Sequence, residues 1–261
     1  MDEILERIIV GESRHYFIYS ENKELRKELL QNISDRNPIV LDSNEPAVVY
    51  MDDFALPESE NKVTYLDNYR LKIVSREYLS FYIVYKLLIQ FQRQTGIYMA
   101  DLRIKNFLKD INRLFLNQDY NDIEDLNGLI NVINQSKEFY KREYKNLQEL
   151  GKIVEDINDL PIQFLELNSF MRPFKKMINT TSHFSIVFDQ QSKPQLIMQQ
   201  AINSLVTKRI NSDISVNVVC ERNEWKTYYD LTGMLAEPIH DYGDINIEDF
   251  SSRFQKIKTM K

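Results

Sequence analysis

The chain is poor in glycine and proline, with 6 and 7 among its 261 residues. Glycine lets a backbone turn tightly and approach a phosphate closely. A chain with so few glycines is therefore a poor candidate for a glycine-rich phosphate cradle or a dinucleotide-binding loop.

Cysteine and histidine are also scarce. The single cysteine, Cys220, excludes an internal disulfide and a cysteine-based zinc site. The three histidines, His15, His183 and His240, show no His-x-x-x-His spacing. We therefore predict no metal site.

The chain also has no excess of positive charge and no long apolar run. The net charge is -6, which disfavours a broad nucleic-acid-binding face. No apolar run approaches the roughly 20 residues that span a bilayer. The N-terminus does not have the shape of a signal peptide. These features predict a cytoplasmic protein without a membrane partner.

The first of three regions, residues 1–70, alternates strand and helix patterns. Apolar runs predict strands at His15–Tyr19 and Ala47–Met51, with further strand material at Val40 and Leu41. A helix is predicted over Glu24–Ile33, because leucine and isoleucine recur there at helical spacing.

The second region, residues 71–180, is predicted to be helical throughout. Aromatic and aliphatic residues recur at helical spacing from Tyr78 to Phe91 and from Ile104 to Phe115. A long polar helix is expected from Leu126 to Ile157, with apolar positions typical of a helical hairpin or a short coiled coil. This region could support self-association.

The third region, residues 181–261, returns to strand and helix. Strands are predicted at Phe184–Phe188 and Ser215–Cys220, around a helix at Leu196–Ile210. The whole pattern predicts an α/β fold: a P-loop NTPase-like parallel sheet with a large all-helical insertion.

The segment Ser20–Lys27 follows a strand and opens a helix, which is the setting of a phosphate-binding P-loop. Both glycines of that motif are absent. Arg26 stands at the place of the motif's lysine, and Lys27 replaces the hydroxyl that would hold magnesium. Glutamates at 21 and 24 add negative charge, which also suits an ordinary helix start.

The strand Phe184–Phe188 leads into Asp189 and Gln190, in the form of a Walker B strand. There an aspartate would hold magnesium and the next acid would polarise the attacking water. Gln190 cannot act as that base. The alternative is that Asp189 only ends a strand, since aspartate is common in turns.

A basic stretch with aromatic neighbours contains Lys141, Arg142 and Lys145. Such a helix could contact nucleic acid. Glutamates at 138, 143, 149 and 155 dilute the positive charge, so a solvated helix face is the alternative.

Asn203 and Arg209 follow the Walker-B-like strand, and a late segment contains His240, Asp241 and Tyr242. With these residues, and with the strand, loop and helix of the first region, the two ends of the chain resemble bacterial P-loop AAA+ ATPases related to origin-recognition-complex-like proteins. The family implies an ATPase core with a role in DNA handling or partner remodelling, often in defence. It would also imply ATP and magnesium as cofactors.

The missing Walker A residues and Gln190 lead to the hypothesis of a catalytically inactive core. Such a core would have no cofactor and would act on a protein partner as a scaffold or regulatory subunit. A DNA-binding accessory factor using the helical insertion, and an unusual ATPase completed by a partner, are the alternatives. P-loop ancestry is expected to place Phe184–Asp189 beside His15–Tyr19 in a parallel sheet, and any other strand order would argue against it.

Overall fold

A computed structural model describes most of the chain. The described residues are 6, 8–10, 14–52, 54–56, 68–95, 102–190, 195–207 and 214–247. Within them, no helix is long and apolar enough to cross a membrane.

The secondary structure alternates at both ends of the chain and is helical between. The elements are β1 (His15–Tyr19), α1 (Lys23–Arg36), β2 (Ala47–Asp52), α2 (Asn68–Thr95), α3 (Leu102–Phe115), α4 (Leu126–Leu150), α5 (Leu167–Ile178), β3 (Phe184–Asp189), α6 (Leu196–Thr207), β4 (Ile214–Cys220) and β5 (Tyr242–Asn246).

The chain divides into two compact units. The α/β unit comprises Met1–Ile39, Asn44–Ala55 and Ser182–Lys261. The helical unit comprises Val40–Ser43 and Leu56–Thr181. The helical unit therefore interrupts the α/β unit along the sequence.

The α/β unit is built on a five-stranded parallel sheet in the order β2-β3-β4-β1-β5. This confirms the predicted α/β fold and its parallel sheet. The three central strands β3, β4 and β1 are buried along their whole length, as expected for continuous apolar runs in a parallel sheet.

The expected adjacency of Phe184–Asp189 and His15–Tyr19 is wrong. Strand β4 lies between them, with Val218 paired to Phe17 on one side and to Phe188 on the other. Short apolar strands carry no sequence signal for their neighbours, because any two of them can pair equally well.

One face of the sheet packs against α1. Leu29, Leu30 and Ile33 of α1 join Ile18 of β1 and Val219 of β4 in a single buried cluster. This packing fixes the start of α1 at the carboxyl end of β1. Open parallel sheets bind ligands at that edge.

Aromatic contacts hold the helical unit together. Phe81 of α2 stacks on Tyr140 of α4 with ring centroids 5.6 Å apart. Phe107 of α3 meets Phe170 of α5 edge-on at 5.8 Å. These contacts agree with the helices predicted around Phe81 and Phe107.

Two local predictions are wrong. Val40 and Leu41 are not in a strand, since Asp42 turns the chain there with φ of 55°. The long helix ends at Leu150 instead of Ile157, because Gly151 adopts φ of 69° and its N–H caps the Leu147 carbonyl.

Candidate functional site

The loop between β1 and α1 has only three residues, Ser20–Asn22. The helical ladder begins when the Arg26 N–H donates to the Asn22 carbonyl at 3.0 Å. Most of the segment compared with a P-loop is therefore the first turns of α1. This short connection leaves little backbone to wrap around a phosphate.

Arg26 lies inside the protein. Its Nε donates to Asp189 Oδ1 at 3.0 Å, and neither side chain is exposed. Its Nη1 donates to the Ser20 carbonyl at 3.2 Å, and its Nη2 donates to the Gln190 carbonyl at 3.0 Å. Every guanidinium nitrogen thus has an acceptor at the edge of the sheet.

The second carboxylate oxygen of Asp189 also accepts a hydrogen bond. Tyr50 of β2 donates its hydroxyl to Asp189 Oδ2 at 2.8 Å. Burial raises the pKa of Tyr50, and the nearby Asp189 charge raises it further. The hydroxyl therefore stays protonated and remains a donor to the carboxylate.

We call Arg26, Asp189 and Tyr50 the arginine lock. It joins α1 to the ends of β3 and β2 through two charge-assisted hydrogen bonds, of which the one from Arg26 is buried and the one from Tyr50 is partly buried. A buried ion pair costs desolvation energy, which is offset only when the remaining donors and acceptors are satisfied. Arg26 and Tyr50 would have to move before Asp189 could ligate a cation through these oxygens.

The side chains of the other two predicted nucleotide-site residues, Lys27 and Gln190, take no part in the lock, although the Gln190 carbonyl accepts from Arg26. Lys27 is exposed on α1. Gln190 is fully buried, and its N–H donates to the Val219 carbonyl at 2.8 Å. Neither polar atom of the Gln190 side chain has a hydrogen-bond partner among the described residues. A neutral amide cannot take a proton from water as a carboxylate does.

The surface outside the lock is rich in carboxylates. Glu21, Asn22, Lys23, Glu24 and Glu221 line an open depression beside the start of α1. Lys23 forms ion pairs across it, 3.1 Å from Glu221, and the hydrogen bond to Glu221 raises the pKa of Lys23. Three glutamates against one paired lysine make this depression unfavourable for an anion.

Asn203 belongs to a polar face of α6 that holds the segment after β4. Its Nδ2 donates to the carbonyls of Thr227 and Tyr229 at 2.9 and 3.0 Å. One turn earlier, Gln199 Oε1 accepts from the N–H groups of Lys226 and Thr227. In the described structure Asn203 therefore holds the backbone of Thr227 and Tyr229 in place.

The His240–Tyr242 segment leads into β5. His240 is exposed, while Asp241 Oδ2 accepts from the Glu237 N–H at 2.9 Å. Tyr242 packs edge-on against Phe17 with centroids 4.7 Å apart and stacks on Tyr228 at 5.3 Å. These contacts attach β5 to β1.

The basic residues of α4 are partly neutralised. Arg142 forms two hydrogen bonds of 2.8 Å with Glu155, and Lys145 lies 3.7 Å from Glu149. Lys141 is partly exposed and makes no ion pair within the described residues. The helix thus presents mixed charge instead of a basic stripe.

Arg209 lies outside the described residues. Among those that are described, no group of three or more histidine, cysteine, aspartate or glutamate residues could hold a metal ion. Sequence reasoning missed Tyr50 and Gln199. Tyr50 had a detectable signal, because side chains alternate along a strand and its position next to Val49 and Met51 places it on the opposite face of β2.

Comparison with known proteins gives no relative for this arrangement. No protein-family model, no curated protein and no solved structure matches the chain.

Proposed function

We propose that this chain is a catalytically inactive P-loop ATPase-like protein that serves as a scaffold or regulatory subunit of a DNA-handling or defence-type complex. The observation that carries the proposal is the buried ion pair between Arg26 and Asp189. The residue at the place of the P-loop lysine binds the Walker-B-like aspartate directly, where phosphate and magnesium would stand between them in an ATPase.

The order of the strands does not support the P-loop part of the proposal, because β4 lies between β1 and β3 where the sequence analysis expected these two strands to be neighbours. The proposal therefore rests on the parallel sheet and on the contacts of Arg26 and Asp189 at its carboxyl edge.

Three further features support the loss of catalysis. The connection at Ser20–Asn22 is short, so few backbone N–H groups can face a phosphate. Glu21, Glu24 and Glu221 line the depression outside it and repel a triphosphate. Gln190 supplies no general base.

The proposed role as a scaffold follows from the contacts of the arginine lock. The arginine lock keeps the sheet edge and α1 together through the protein's own side chains, as a bound nucleotide does in an active ATPase. A core of this kind needs no ligand to satisfy the polar groups at this edge, and it can present the same surface to a partner with or without nucleotide. The setting in DNA handling or defence comes from the resemblance at Asn203 and His240–Tyr242.

A phosphate-release assay with ATP and magnesium tests the proposal. We expect the wild-type protein and Asp189→Ala to release phosphate at the same background rate. The proposal is overturned by turnover above background that Asp189→Ala abolishes, because Asp189 would then be acting on a bound nucleotide.

A further inference from the structure

The segment between β4 and β5 exposes large apolar side chains on a firmly held turn. The exposed fractions are 51% for Tyr229, 57% for Met234, 46% for Leu235 and 80% for Ile239. Tyr229 and Leu235 face each other in an antiparallel bridge, so their side chains lie on the same side. We call these four residues the apolar turn surface.

Buried polar groups fix the backbone that carries this surface. Asp230 Oδ1 accepts from the N–H groups of Thr232 and Met234, each at 2.8 Å. Asp230 Oδ2 accepts from the hydroxyl of Thr207 on α6 at 2.9 Å. Burial opposes ionisation of Asp230, yet these hydrogen bonds together hold its pKa below the usual value. The exposed side chains are therefore presented by an ordered turn.

Two features make isoleucine energetically unfavourable at position 239. Its φ of 72° lies in the left-handed region, which is unfavourable for a β-branched residue. Its side chain is also the most exposed of the four. Arg14 holds this conformation by donating to the Ile239 carbonyl at 2.6 Å. Strain of this kind is found where a side chain is needed for function.

The charge around the surface defines the chemistry of its partner. From Thr227 to Ile247 the sequence contains four acids and no lysine or arginine. Glu237 is exposed and Asp241 is partly exposed, two positions before and after Ile239, whereas Asp244 accepts from the Tyr19 hydroxyl and lies near Arg222. Two arginines approach from elsewhere: Arg14 is bound to backbone carbonyls, and Arg222 lies over the ring of Tyr19 at 5.5 Å. The apolar residues thus have an acidic surrounding.

We propose that the apolar turn surface docks a basic amphipathic segment of a protein partner, one that carries lysine or arginine beside large apolar side chains. Apolar side chains of that segment would cover Tyr229, Met234, Leu235 and Ile239, and its cations would face Glu237 and Asp241. The inference rests on the proposed scaffold function, since it names where such a scaffold holds its partner.

Fluorescence anisotropy with a labelled leucine/lysine amphipathic peptide tests this inference. We expect saturable binding, a loss of about tenfold or more in affinity for Met234→Glu combined with Leu235→Glu, and no binding of a leucine/glutamate peptide. Leu102→Glu, at a position 68% exposed in the helical unit, is the matched control and is expected to bind as wild type.

Ile239→Gly separates docking from folding. Glycine relieves the strain at positive φ, so this variant is expected to melt higher while binding the peptide more weakly. A purely structural role for Ile239 would predict that stability and peptide affinity fall together, and that outcome overturns the inference.

Other results of these experiments also test the docking inference. Equal loss of binding in Leu102→Glu, or equal binding of the acidic peptide, would overturn the inference. So would concentration-dependent dimerisation that Met234→Glu with Leu235→Glu abolishes, since a second copy would then cover the surface. Phosphate release measured on the same samples distinguishes the two proposals. If the protein neither releases phosphate nor binds the peptide, the docking surface is wrong and the proposal of an inactive core stands.

Discussion

The Arg26 guanidinium and the Asp189 carboxylate, 163 positions apart in sequence, form a fully buried ion pair with Nε and Oδ1 3.0 Å apart. The Tyr50 hydroxyl donates to the other carboxylate oxygen, and two backbone carbonyls accept hydrogen bonds from the remaining guanidinium nitrogens. The polar groups at this carboxyl edge of the sheet are thereby satisfied by the protein's own side chains and backbone, at the edge where open parallel sheets bind ligands.

Replacing Arg26 by methionine is expected to lower the free energy of unfolding by about 3–5 kcal/mol, because it leaves a buried carboxylate without its cation. Urea denaturation measures the change. The control is Arg142→Met, which breaks the exposed pair with Glu155 and should cost no more than about 1 kcal/mol.

The combination Arg26→Met, Asp189→Leu and Tyr50→Phe replaces the lock by apolar side chains. We expect it to be more stable than Arg26→Met alone, since no charge remains unpaired in the interior. If Arg26→Met costs as little as the surface control, the lock does not hold the sheet edge together.

His15 makes the stability depend on pH. Burial lowers its pKa to about 4, against an opposing effect of the nearby Asp241 charge, and its Nδ1 accepts from the Val216 N–H at 2.9 Å. The folded protein holds His15 neutral, whereas the unfolded chain binds a proton below pH about 6.5. Stability is therefore present above that pH and is lost as pH falls toward 4, by about 3 kcal/mol.

Denaturation at several pH values, compared between wild type and His15→Gln, isolates this contribution. The glutamine variant should lose less stability between pH 6.5 and 4 than wild type, because its side chain does not titrate. His240→Gln, at an exposed position, should keep the wild-type slope. Identical slopes for wild type and His15→Gln would contradict a buried neutral histidine.

Gly243 has no room for a side chain. A Cβ at this position would lie 2.7 Å from Cε1 of Tyr16, which is buried on β1. Gly243→Ala is therefore expected to destabilise the protein by about 1–3 kcal/mol, measured as a shift in denaturation midpoint. Adding Tyr16→Val to Gly243→Ala should cost less than the sum of the two changes, because the second removes the clash. Strict additivity would show that the close approach carries no strain.

Local patterns predicted much of the fold. The strands at His15–Tyr19 and Phe184–Phe188 were detectable as compact apolar runs, and the helix around Phe107 by its spacing. The helix Leu167–Ile178 lies in the region predicted to be helical, but it was not predicted as a separate element although Phe170, Phe174 and Met177 show helical spacing. The end of α4 was misplaced because the spacing of apolar residues outweighed the stop signal of Gly151.

The lock itself could be predicted only in part. Arg26 is three, four and seven positions before Leu29, Leu30 and Ile33, so helical spacing places it on the buried face of α1. A buried arginine needs an acidic partner. Which acidic residue pairs with Arg26 depends on the order of the strands in the sheet. That order could not be predicted from the sequences of short apolar strands.

Isothermal titration calorimetry of the wild-type protein with ATP and magnesium tests the central claim most directly. Because Arg26 and Tyr50 already satisfy Asp189, we expect no binding heat above dilution at any accessible ATP concentration. Saturable one-to-one binding that Asp189→Ala abolishes would contradict the account, since the nucleotide would then compete successfully for the carboxyl edge of the sheet.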